Sequence, residues 1–293
     1  MSWAPPTVPP VAAPAPATPA GPPPGWYPDP SGVGVRWFDG TAWGPVAVPA
    51  RQRPPLPTLR LSDALGALVI LAASLVANKF VIDAIADRGW PVLVEACVAG
   101  LVGYGPSVAW AVHVYRRERG AHGRSLGDVF GLRFRWLDVG LGPLSYVGAL
   151  AAQLAMAIVI ALTRIPFTSN VEDSSGSRTA GYVIGLVLTA VVAAPIVEEV
   201  IFRGIVLRGL VARLPIAVAV TLQGVLFGAA HIDPSRGWGN LGLAIALSGV
   251  GVALGVTAVL TRRIGPTIVA HAILNGVVLT LVLTGALDGL PRG

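Results

Sequence analysis

Two regimes of hydrophobic patterning meet near residue 60. Beyond it, apolar runs of about 20 residues succeed one another, the length an α-helix needs to cross a hydrocarbon core about 30 Å thick. They lie at roughly 61–82, 91–115, 137–163, 180–203, 215–232, 240–261 and 264–287. This predicts an all-α polytopic membrane domain over 61–287 with about seven transmembrane helices. Before residue 60 no such run exists. Residues 1–24 form a Pro/Ala tract that cannot build a core and is expected to be disordered. Residues 25–46 gather Trp26, Tyr27, Trp37, Phe38 and Trp43 around turn signals, and VRWFDGTAW reads as two short strands on a type I′ Asp-Gly turn. The expected element is a small aromatic β-hairpin module held by ring stacking. Residues 47–60 read as a proline-rich linker. Seventeen of the 26 prolines fall in the first 60 residues, which is what sets the two regimes apart.

Composition agrees with the pattern. Apolar residues make up 54%, charged residues 12%, and the mean hydropathy is +0.69, values that suit a polytopic helical chain better than a soluble domain. The net charge of +6 resides in arginines gathered between apolar runs. They set orientation in the bilayer and show no basic patch interleaved with aromatics, so no nucleic-acid partner is expected. The basic stretch 116–135 and the arginines at 203–213 and 262–263 place the N terminus in the cytoplasm; the loops at 83–90 and 164–179 are comparatively acidic. Phe130, Leu132, Phe134 and Trp136 among the arginines of 116–135 read as an interfacial segment. His113 and His122, beside that stretch, read as interfacial or solvated. Residues 1–24 contain no apolar signal-peptide core, so the first spanning helix is expected to act as the targeting signal. Cys97, the single cysteine, excludes an intramolecular disulfide and is expected in the core. The skew to arginine, alanine, glycine and proline suits a high-GC bacterial genome, hence a bacterial cell membrane.

Against this apolar background a few polar groups stand out: Glu198, Glu199 and Arg203, then His231, then His271 and Asn275. An ionisable side chain at bilayer depth costs about 2.5–3.5 kcal/mol on insertion scales, so such groups mark functional sites. Glu199 and Arg203 are four apart and can pair on one helix face, whereas Glu198 points about 100° away with no partner at i+4. The spacing therefore favours Glu198 as the proton-handling group and Glu199–Arg203 as a brace. Pro195 should loosen the helix just before the acids. Phe227 and His231 share a face, as do His271 and Asn275, and the Asn275 amide can donate to an oxyanion. One tension remains. At 1.5 Å per residue His271 lies about 10 Å from Arg263, whereas His231 lies about 25 Å from Arg213. Bringing them together requires a tilted or broken helix, or fourth and fifth helices that extend further.

EEVIFRG, FGAAH and HAILN resemble, in order, the EExxxR, FxxxH and HxxxN motifs of the CPBP family. That family contains the CAAX prenyl endopeptidases of the Ras-converting type and bacterial Abi-type homologues. The resemblance covers about residues 120–285. It implies an intramembrane endopeptidase with a water-filled cavity, acting on a membrane-associated or lipidated peptide, with Glu198, Glu199, Arg203, Phe227, His231, His271 and Asn275 at its site. The GWYPDP…RWFDGTAW stretch is similar to a short module of unknown function on membrane proteins of high-GC Gram-positive bacteria, and offers a surface for a protein partner.

Two mechanisms stay open at this level. Glu198, His231 and His271 are a His₂Glu set of the kind that holds a catalytic zinc. The chain has no HExxH pair, and an amide such as Asn275 is a better oxyanion donor than zinc ligand, so a metal-free glutamate scheme is preferred. Alternative functions are a catalytically silent immunity or partner-binding protein, which should have lost a motif residue, and a transporter, which should show internal repeats.

Overall fold

The computed structural model describes residues 21–30, 34–47, 57–86, 88–167, 179–233 and 238–286, so the expected disorder of residues 1–20 and most of the linker lie outside the described residues. The chain forms two compact units, Met1–Pro55 and Leu56–Gly293.

In the first unit, β1 (Gly25–Pro28), β2 (Val35–Phe38) and β3 (Trp43–Ala47) make an antiparallel sheet in the order β1-β2-β3. The aromatic pattern anticipated the β2–β3 hairpin but not β1. Alternation puts Trp26 against Trp37 on one face, ring centroids 5.6 Å apart, and Tyr27, Phe38 and Trp43 on the other. The turn is wider than the expected two-residue type. Oδ1 of Asp39 accepts from the backbone N–H groups of Thr41 and Ala42, both at 2.7 Å, so the side chain closes a loop of four residues.

The second unit is helical: α1 (Leu61–Ile85), α2 (Val92–His122), a single turn α3 (Leu126–Val129), α4 (Asp138–Thr163), α5 (Ala180–Val211), α6 (Ile216–Ala229), α7 (Gly239–Thr261) and α8 (Gly265–Leu283). Among the described residues six helices are long and apolar enough to cross a membrane. The expected fifth span, α6, has 14 residues and falls short of a full crossing. Asp233 precedes Pro234, which disfavours helix at that point, and the Phe227 carbonyl released at the helix end is taken by His231.

Charges tie the helix ends together. Arg117 makes a two-pronged bond to Asp63 at 2.6 and 2.7 Å, and Glu118 receives Arg117 and Arg124, which lets α2 run past the expected residue 115. Asp138 accepts from Arg263 at 2.8 and 2.5 Å. Buried Arg208 donates to the Asp128 carbonyl at 3.1 Å, so α5 continues beyond residue 203. Gly131 sits in this collar with φ 73°, and a Cβ there would lie 2.4 Å from Nη2 of Arg208 and 3.2 Å from Cα of Arg263. The Arg208 guanidinium therefore reaches the level of Arg263, and α5 runs on to Val211.

Two expectations are corrected. Cys97 is exposed on α2 rather than in the core; in a membrane helix the outer face is as apolar as the inner, so hydropathy does not separate them. Phe130 is buried beneath Tyr115, not interfacial, whereas Phe134 and Trp136 are exposed. His113 stacks on Trp110 and His122 lies beside Glu118, both exposed.

Candidate active site

The helix that carries the two glutamates is not uniform. Within α5, Val187–Ala193 and Val200–Val206 are π-helical, and Ala194–Glu199 is an ordinary α segment between them. Wide turns of this kind recur where a helix must re-aim side chains. Pro195 gives the first one its cause. It has no N–H, and in the i→i−5 pattern, which Ala194 adopts by donating to Thr189, the missing donor belongs to the Ala190 carbonyl. Asn275 fills the vacancy, its Nδ2 donating to Ala190 O at 2.8 Å. Sequence spacing placed Asn275 beside His271 on α8; it gave no hint that one amide N–H is committed to α5.

Glu199 is fully buried. Its Oε1 accepts from Nη1 of Arg203 at 2.7 Å and lies 3.0 Å from Nδ1 of His271. Arg203, also buried, donates from Nη2 to the Gly251 carbonyl at 3.1 Å. That carbonyl is reachable because α6 and α7 touch backbone to backbone: a Cβ on Gly251 would lie 2.7 Å from Gly224 O. Phe227 is the shared platform. Its ring lies 4.5 Å below the Arg203 guanidinium carbon and contacts both imidazoles, with centroids 4.9 Å from His231 and 5.7 Å from His271.

Glu198 is separate from this brace. Its Oε2 lies 3.9 Å from Nε2 of His231 and 3.9 Å from Nε2 of His271, is buried, and has no hydrogen-bond partner. Its Oε1 accepts from the hydroxyl of Tyr104 on α2 at 2.8 Å. Tyr104, 94 residues away in an ordinary apolar helix, carried no motif by which the sequence could single it out. The depth tension is resolved by the longer α5. Both imidazoles lie 3.9 Å from the same oxygen of Glu198, and the helix that carries Glu198 runs on to Val211, one of the extensions that bringing them together required.

The ring nitrogens define what the site can do. Nδ1 of His231 lies 2.8 Å from the Phe227 carbonyl, which only accepts, so Nδ1 carries the proton. Nδ1 of His271 faces a carboxylate in the same way. In neutral rings both Nε2 atoms are then acceptors, and each lies 3.9 Å from a third acceptor, Oε2 of Glu198. A water can donate to two of them. An oxyanion there is stabilised by a ring only in its imidazolium form.

The same three atoms are the candidate zinc ligands. Tetrahedral zinc with bonds of about 2.0–2.1 Å holds its ligand atoms roughly 3.3–3.4 Å apart. The observed 3.9 Å separations are wider, and among the described residues no group of three His, Cys, Asp or Glu is placed to hold a metal. As arranged, the residues do not fit the ion.

Beside Glu198 on α5, Ile196, Val197, Val200 and Ile201 line an apolar groove of about 190 Å³, closed on the other side by α2 and by Leu126, Phe130 and Leu132.

Residues 180–277 match the family described as type II CAAX prenyl endopeptidase Rce1-like, a segment that holds all three motifs. Residues 24–56 match a protein family of unknown function, DUF2510. No curated protein and no solved structure matches the chain.

Proposed function

We propose that the chain, whose residues 180–277 match the Rce1-like family, is a multi-pass intramembrane endopeptidase using a glutamate-activated water, with its N terminus in the cytoplasm of a bacterial cell. The observation that carries this reading is the partnerless Oε2 of Glu198 facing two imidazole nitrogens at 3.9 Å inside an apolar helix bundle. Three converging acceptors create a place for a water that donates two protons.

In the proposed cycle, Oε2 of Glu198 removes one proton as the water oxygen attacks the scissile carbonyl. His231 or His271, as imidazolium, and the second N–H of Asn275 stabilise the oxyanion. The proton on Glu198 then passes to the leaving amine, so water and peptide bond become carboxylic acid and free amine, and Glu198 returns as carboxylate. Glu199 and Arg203 hold His271 and Phe227 in place. The apolar groove along Val197 and Val200 suits the hydrocarbon chain of a lipidated peptide, such as a prenylated C-terminal segment. The aromatic module, with Trp26 and Trp37 exposed, would recruit a protein partner.

The test compares wild type with Glu198→Gln. Purified chains in lipid nanodiscs are given an internally quenched farnesylated CAAX peptide, and membrane fractions of cells carrying either form are compared by mass spectrometry for an uncut precursor. Cleavage lost and a precursor accumulating in Glu198→Gln, with unchanged Tm, supports the reading. Equal cleavage by both forms would sink the catalytic assignment; equal phenotypes without cleavage would point to the silent partner-binding alternative.

A further inference from the structure

A carboxylate has two chemically equal oxygens, and the terminal torsion of a glutamate is broad and nearly two-fold. Nothing in Glu198 itself decides which oxygen meets a water. Its surroundings on α5 offer no decision either, because Arg203 is committed to Glu199 and Gly251. Tyr104 breaks the symmetry. Its hydroxyl donates to Oε1 at 2.8 Å, and the other oxygen is left buried, without a hydrogen bond, 3.9 Å from Nε2 of His231 and from Nε2 of His271.

We infer that Tyr104 is a positioning residue for the hydrolysis proposed above: by holding Oε1 it presents Oε2 of Glu198 to the water between the two imidazoles. The inference rests on that reading of the site and extends it to α2, outside the matched segment 180–277. A hydroxyl in an apolar helix needs an acceptor in any case, so the plainer account is that Tyr104 merely satisfies itself. Ser107, one turn along the same helix, shows that α2 does not satisfy every hydroxyl: it is fully buried and has no partner. The two accounts predict different outcomes when the Tyr104 hydroxyl is removed. A self-satisfying phenol changes stability and nothing else, since Phe needs no acceptor while Oε1 of Glu198 loses its donor. A positioning phenol releases Glu198 to rotate, which lowers turnover without changing how substrate binds.

Tyr104→Phe in the full chain in nanodiscs separates them. Infrared difference spectra identify the Glu198 carboxyl band as the one lost in Glu198→Gln; in Tyr104→Phe that band should shift. On the quenched farnesylated CAAX peptide, kcat should fall roughly tenfold or more, the order for losing one hydrogen bond to a charged group, with KM held within about twofold. An unmoved band, or kcat kept within about twofold, overturns the assignment. A fall in Tm with kcat and KM moving together returns Tyr104 to a structural role. If wild type leaves the peptide uncut, the proposed substrate class fails and the band alone decides the Tyr104 contact. If Glu198→Gln cuts as well as wild type, the catalytic reading fails and the role of Tyr104 falls with it.

Discussion

Glu199→Ala is the substitution whose cost can be worked most directly from the structure. It removes the carboxylate that neutralises Arg203, a guanidinium with no solvent exposure. Arg203 is left with one carbonyl at 3.1 Å and an aromatic face at 4.5 Å. Neither carries a formal negative charge, and the Glu198 carboxylate that remains acts on Arg203 only through space, without a hydrogen bond. Breaking a buried pair from one side costs about 3–5 kcal/mol, because a desolvated charge is left uncompensated. The lost acceptor for Nδ1 of His271 adds to this. At roughly 2–4 °C per kcal/mol for a domain of this size, Tm in detergent should drop by about 10 °C. The decisive comparison is the pair Glu199→Ala and Glu199→Ala/Arg203→Met. Removing both charges and filling the volume with an unbranched apolar chain should restore most of the loss. Glu199→Gln, which keeps one acceptor but no charge, should fall between. A double variant no more stable than the single, or a single variant within about 1 °C of wild type, would refute the brace.

Asn275→Ala leaves the Ala190 carbonyl without a donor and should lower Tm by the equivalent of about 1–3 kcal/mol, and turnover by roughly 10²–10³ if the second N–H serves the oxyanion; Pro195→Ala, which restores a backbone donor to α5, should offset the Tm loss in the double variant without restoring turnover. Asp39 is held below the ordinary carboxylate value of 3.8 by the backbone N–H groups of Ala42 and Thr41 and by the Thr41 hydroxyl. Its depressed native value means the turn is supported above that pH and loses support as pH falls through the native value, so tryptophan fluorescence of the module should change on acidification, and Asp39→Asn should flatten that change. Deleting residues 1–46 should leave the Tm of the membrane unit and the cleavage of the quenched peptide within error of wild type, since the chain divides into two compact units at residues 55 and 56; a collapse in Tm would show the module to be integral.

The helical class and the main polar pairs were legible in the sequence because both depend on spacing along one helix. Glu199 with Arg203 and Phe227 with His231 are i, i+4 relations, which a linear chain displays openly. What could not be read depends on neighbours in space or on departures from regular helix. Tyr104 becomes informative only when α2 is laid against α5. The Asn275–Ala190 bond exists because a π turn meets a proline, and hydrophobic periodicity carries no record of a turn one residue too wide. The exposure of Cys97 was unreadable for another reason: a bilayer erases the contrast between inside and outside that periodicity measures.

The brevity of α6 has a further consequence. Fourteen residues give about 21 Å of helix against a slab of about 30 Å, so the chain leaves helical form at His231 while still at hydrocarbon depth. Non-helical backbone is tolerated there only where protein or water covers it. Thinning of the bilayer on that side, or solvent dipping in to meet the helix end, would bring bulk water to the imidazole beside Glu198. In the proposed hydrolysis, longer acyl chains should slow turnover by deepening the path that each water must travel.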